Sequence, residues 1–534
     1  MHIQQRNRVW LVACTALVSL FAQPAVAEWK RAESPRFIVY SDGGSDATLR
    51  RYVQSLETYD YLLRARMGLP VDEPPARKLP IYLVSNNAGL VRINPGTDRQ
   101  VAGTYFPAEE DIFAAAIRDS EQDYLLHEYF HHFFYEMGST THYPAWLVEG
   151  MAEYFMTAKI SPESVMIGGV NDNRAYWLVN GRWIDLDDLL SKRVGEIRNP
   201  EERGTYYPVA WLLTHWFMSD ETRRGWLTTY LEKVRTGGDS VESMTEATGM
   251  TLPEIRAQLR RYMSGRLTGT RYNGNFPTVE IVITRLPRSA DDLLLLGQRL
   301  KIGVPEEDRA ETAALVRRAA ARHPDDPFAM LQLGHAELHF GDAEAGEAIL
   351  TRLLEREPDN VEALQLMASR YMRLASESEG DPAPLMARAR GFLARAYRID
   401  DESYYTLLNL AQTRQGQPSY PNDNDMATWR EAFVRAPQLA SIRLGYSAAL
   451  MQNKEFEQAQ VLLEPLANAP HGGGASAAAR TLIELARAGQ EPLDQATLDA
   501  AAQADVVPPS EPQQGPAEAG PDGGEPDAEP AGAL

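Results

Sequence analysis

At 534 residues the chain is long enough for two or three domains. Its net charge of −21 argues against nucleic acid and anionic membrane surfaces as partners. A single cysteine, Cys14, rules out a disulfide framework within the chain.

The first 27 residues read as a targeting segment. Arg6 and Arg8 make a positive start, Val9 to Ala22 is mostly apolar, and Ala25-Val26-Ala27 is a small-x-small cleavage site. The apolar run is too short for a membrane span, so none is expected in the mature chain. Leu11-Val12-Ala13-Cys14 fits a lipoprotein box only superficially, because the hydrophobic run continues past it. Cleavage after Ala27 would remove Cys14. Export without disulfides suits a bacterial periplasmic or secreted protein.

Residues 28–270 are expected to form one domain, opening with mixed elements. Arg36 to Tyr40 reads as a strand ended by Asp42-Gly43-Gly44. Ser45 to Met67 reads as a helix capped by Ser45 or Asp46. Leu79 to Val84, Val101 to Phe106 and Asp111 to Ile117 read as further strands, the last two joined around Pro107. Asp111 to Ile117 is either an internal strand or the sheet edge facing a substrate.

The stretch from Tyr124 to Phe155 carries the chemistry. His127-Glu128-Tyr129-Phe130-His131 is an H-E-x-x-H, and Leu125, Leu126, Phe130, Phe133 and Phe134 around it recur at helical spacing. On a helix, His127 and His131 share a face and can meet one zinc ion. Gly138 is the expected C-cap, and a second helix is expected from Pro144. That helix carries Glu149, 18 positions after His131, and Glu153 one turn on. Catalytic zinc needs a third protein ligand, which Glu149 offers, and Glu153 can hold a histidine by its other ring nitrogen. His132 and His142 are the nearest alternative ligands.

HEYFH followed by WLVEGMAEY resembles the gluzincin zinc metallopeptidases, the thermolysin and aminopeptidase-N clan, and most nearly its bacterial peptidase-MA-like members. The resemblance implies an α+β catalytic domain, His127, His131 and Glu149 as zinc ligands, and Glu128 as general base. It also implies an edge strand along which the substrate backbone lies. The metzincin pattern requires Gly and His at 134 and 137, where this chain has Phe134 and Met137. The G-x-M-E-N run of aminopeptidase-N relatives is not visible before His127, which favours an endopeptidase.

Ser161 to Glu202 is irregular. Thr205 to Phe217 follows as a tyrosine-led helix, similar to one in the related proteins. Tyr206, Tyr207 and His215 are its candidates for an oxyanion donor, with Tyr207 preferred. Thr251-Leu252-Pro253-Glu254 is a capping box opening a helix to about Arg266.

Residues 271–289 read as a linker with one strand-like run, Val279 to Thr284. Beyond it the texture is helical. His323-Pro324-Asp325-Asp326 recurs as Glu357-Pro358-Asp359-Asn360, an offset of 34, with Leu333-Gly334 and Gly346 between. This resembles the tetratricopeptide repeat, and it implies an all-α solenoid over 290–490 that presents a concave surface to a peptide or protein. Ser376 to Pro384 and Gln415 to Asp425 read as insertions. Residues 491–534 are Pro, Ala and acid-rich and are expected to be disordered. The function these features imply is zinc-dependent hydrolysis of peptide bonds. The alternative is a non-catalytic envelope scaffold or binding protein that works through its repeats.

Overall fold

The computed structural model describes residues 29–99, 101–118, 122–137, 143–469 and 473–492. The leader with Cys14, Gly138, His142 and residues 493–534 fall outside the described residues.

The N-terminal region is α+β. Five strands open it: β1 (Lys30–Glu33), β2 (Phe37–Ser41), β3 (Leu79–Val84), β4 (Gly103–Pro107) and β5 (Ile112–Ile117). Four short ones follow: β6 (Lys159–Ile160), β7 (Ser164–Ile167), β8 (Thr270–Asn273) and β9 (Val282–Arg285). They form a mixed sheet of order β4-β5-β3-β2-β1-β9 and a small antiparallel sheet of order β6-β7-β8. β2, β3 and β5 run parallel, and every residue of β3 is buried, as a strand covered on both faces requires.

The helices of this region are α1 (Asp46–Met67), α2 (Asn87–Ile93), α3 (Asp123–Glu136), α4 (Ala145–Met156), α5 (Asp172–Asn180) and α6 (Leu186–Ser191). After them come α7 (Pro200–Gly204), α8 (Tyr206–Met218), α9 (Glu221–Arg235), α10 (Ser240–Thr248) and α11 (Leu252–Met263). Ser45 caps α1 by accepting from the Thr48 amide, and Thr251 and Glu254 form the expected capping box of α11.

Of the two readings of Asp111 to Ile117, the structure has the internal strand: β5 pairs with β3 on one side and β4 on the other, with Ala114 opposite both Ile81 and Tyr105. The alanines Ala114, Ala115 and Ala116 let this strand bury both faces, so the edge is β4. The stretch read as a linker supplies a strand to each sheet, with β8 against β7 and β9 against β1. The strand-like run Val279 to Thr284 overlaps β9, whereas β8 is four residues long and followed by Gly, Asn and Pro, which hides its pattern.

The C-terminal region is all helical: α12 (Ser289–Lys301), α13 (Arg309–Ala320), α14 (Pro327–Phe340), α15 (Ala343–Arg356), α16 (Val361–Glu377) and α17 (Ala383–Ile399). It continues with α18 (Tyr404–Gln412), α19 (Asp423–Arg435), α20 (Ala440–Gln452), α21 (Phe456–Ala467) and α22 (Gly474–Arg487). The 34-residue repeat is a repeat of caps. Asp326 accepts from the Ala329 amide and Asn360 from the Ala363 amide, so each starts the first helix of a pair. Gly346 lets the second helix close on the first, because a Cβ there would stand 2.5 Å from the Leu338 nitrogen.

First helices of the pairs meet the N-terminal region. Gln298 on α12 donates to the Tyr82 hydroxyl (2.5 Å), Lys301 lies 3.8 Å from Asp111, and Arg77 stacks on Tyr404 of α18. Arg443 of α20 lies over Tyr135 of α3. Leu407, Leu408, Trp429 and Ile442 belong to the same continuous core as Phe130, Trp146 and Trp211. Among the described residues no helix is long and apolar enough to cross a membrane.

Candidate metal centre

α3 and α4 carry the ligand candidates. Leu125, Leu126, Tyr129, Phe130 and Phe133 bury one side of α3, which fixes where the neighbouring histidines point. α4 begins directly after Pro144 and presses on α8. Gly150 makes that approach possible: a Cβ there would lie 2.6 Å from the Ala210 carbonyl oxygen and 2.2 Å from Thr214 Oγ1. The residue before it, Glu149, is thereby driven toward α3.

Three atoms converge. His127 Nε2 and His131 Nε2 are 3.1 Å apart, and Glu149 Oε2 lies 3.4 Å from each. Bonds of about 2.0–2.1 Å to a tetrahedral zinc ion require ligand–ligand edges of about 3.3–3.4 Å. The triangle therefore fits zinc, and two imidazoles with one carboxylate are a ligand set that zinc accepts. A catalytic zinc ion takes water or substrate at its fourth position.

Behind the triangle stands a second row. His127 Nδ1 lies 3.3 Å from Glu153 Oε1, and Glu153 is 0 % exposed. Arg174 of α5 donates from Nε to Glu153 Oε2 at 2.6 Å and from Nη2 to Oε1 at 2.7 Å. Burial pushes the Glu153 carboxyl up, but Arg174 and then His127 outweigh it and hold the group down at about 2. Burial likewise pushes His127 down, yet Glu149 and Glu153 raise it to about 10. A proton on His127 thus stands where a metal ion would bind, and metal uptake would expel it.

Glu128 is half-buried beside His127. Tyr207 of α8 packs with its ring centroid 6.4 Å from that of His127, and Arg174 lies over the phenol ring at 5.6 Å. Its buried hydroxyl has no hydrogen-bond partner among the described residues. Burial, then Glu149 and Glu153, keep it protonated as a donor. The other two candidates are engaged elsewhere. The Tyr206 hydroxyl donates to the Lys192 carbonyl at 3.1 Å. His215 uses Nδ1 on the Tyr262 hydroxyl (2.7 Å) and Nε2 on the Gly168 carbonyl (3.0 Å). His132 faces β4, with Nδ1 2.9 Å from the Tyr105 hydroxyl, and takes no part in the triangle.

Arg174 is the residue that sequence reasoning missed. It lies 21 positions from Glu153, on a helix within a stretch whose sequence reads as irregular, and no local pattern marks it.

Residues 124–237 match a family described as Protein of unknown function (DUF1570). That segment holds His127, Glu128, His131, Glu149, Glu153, Arg174 and Tyr207. Residues 308–414 match a family described as Tetratricopeptide Repeats-Sensor (TPR-S), in agreement with the run of helices from α13 to α18. This part of the chain is of tetratricopeptide type. No curated protein matches the chain.

Proposed function

We propose that the protein is an exported zinc-dependent peptide hydrolase, most simply an endopeptidase, whose helical repeats bind substrate or a partner protein. The observation that carries this reading is the triangle of His127 Nε2, His131 Nε2 and Glu149 Oε2, with Glu128 next to His127 in the chain. Export rests on the leader-like character of residues 1–27.

When bound, zinc supplies Lewis acidity for a carbonyl and for water. Glu128 accepts the proton of the attacking water and returns it to the leaving amine. Tyr207 donates its phenol proton as a hydrogen bond to the oxygen on which charge develops. Glu153, held by Arg174, keeps the His127 ring in one orientation with Nε2 forward. β4, as the sheet edge beside α3, offers main-chain groups to an extended substrate.

A second reading is a non-catalytic binding protein acting through its repeats, and the match to sensor-type repeats favours it. Zinc content measured together with cleavage of an unfolded protein separates the two. Cleavage that disappears on chelation supports the hydrolase; zinc retained without any cleavage supports the binding protein.

A further inference from the structure

The turn from β4 to β5 carries Glu110 into the first repeats. There it meets His335 and His339, one turn apart on α14, whose ring centroids are 5.2 Å apart. Glu110 Oε2 lies 3.2 Å from His335 Nε2. One donor atom from each of the three residues lies within 4.8 Å of the others. We propose that Glu110, His335 and His339 bind a second transition-metal ion of zinc type, which clamps the edge turn of the sheet to the repeats.

His335 is the strongest argument. It is 0 % exposed, and neither ring nitrogen makes a well-directed hydrogen bond, although Glu110 is near. Buried polar atoms are almost always satisfied, and an ion between His335 and Glu110 would satisfy this one. The donor types decide the class of ion. Two imidazoles and a carboxylate suit zinc, cobalt or nickel, whereas magnesium and calcium take oxygen.

Three cations stand nearby. Lys301 is held by Asp111 and Glu362, at 3.8 and 3.2 Å, and Arg370 lies 3.9 Å from Glu347. Arg373 Nη1 lies 3.4 Å from His339 Nδ1, and the Ser369 hydroxyl lies 3.3 Å from Nε2. Uptake therefore turns the His339 ring off one of these neighbours.

The test uses the full chain, loaded by dialysis against zinc chloride, desalted and assayed for zinc per chain. Two ions are expected in the wild type, one in Glu149→Ala and one in His339→Gln. His339 is half-buried, so the glutamine should fold, and circular dichroism verifies it. Glu110→Gln is the second variant should it not. A wild type with one ion, lost entirely in Glu149→Ala, overturns the proposal. One ion that survives Glu149→Ala and is lost in His339→Gln supports it and instead sinks the first centre. No ion in any form overturns both.

Discussion

Arg174 grips Glu153 with two hydrogen bonds of 2.6 and 2.7 Å, and both side chains are buried. The pair lies on α5 and α4, and Glu153 in turn reaches His127. A charge held this way passes orientation from one helix to a ring on another. Replacing Arg174 by Lys keeps the charge but loses the planar fork. The expected result is zinc affinity lower by about 10–100-fold, the usual cost of losing an outer-shell partner. Titration with a competing chelator measures it. Unchanged affinity in Arg174→Lys would show that Glu153 does not position His127.

Glu149→Ala removes one corner of the triangle and is expected to abolish tight zinc binding at this centre. His132→Ala, which alters a ring facing Tyr105 instead, should leave the zinc in place. Metal analysis of the two variants side by side decides between them. Loss of zinc in His132→Ala with retention in Glu149→Ala would reverse the assignment.

Gly150→Ala tests how Glu149 is placed. The added methyl group meets the Ala210 carbonyl and Thr214, so α4 must move off α8. Overpacking of this kind costs about 1–3 kcal/mol. Denaturant unfolding should report that loss, and zinc affinity should fall with it because Glu149 moves too. A variant as stable as the wild type would mean that the helices yield without strain.

The sequence suggests that residues 290–490 stand alone, yet Leu407, Trp429 and Ile442 share a core with Phe130 and Trp146. The expectation is one cooperative melting transition for the full chain. An isolated 290–490 fragment should melt at a lower temperature and bind a hydrophobic dye. Equal melting temperatures would show that the shared core adds nothing to the repeats.

Much of this was legible beforehand because it is local. Leu79 to Val84 reads as a buried strand from its own residues, and Ser45 and Thr251 announce their helices. His127 and His131 declare a common face by spacing alone. What stayed hidden depends on chain segments that meet only in space. Strand order makes β5 internal and puts β4 at the edge, a choice that the residues of Asp111 to Ile117 leave open. Arg174 sits in a helix whose pattern says nothing of Glu153. The contact of Tyr135 with Arg443 spans the two regions and has no trace in either.

Glu128→Gln is the variant on which the hydrolase reading turns. The amide has nearly the shape of the carboxylate, so packing around a half-buried position should hardly change. Glu128 is not a corner of the triangle, so zinc content should match the wild type. What the amide cannot do is accept a proton from water. That step is worth about 10²–10⁴-fold in rate, and more if the same group delivers the proton to the leaving nitrogen. Cleavage of an unfolded protein should therefore fall by at least that factor while the melting curve stays put. Cleavage at the wild-type rate would remove Glu128 from the chemistry. If neither form cleaves and the repeats capture a partner, the binding-protein reading takes its place.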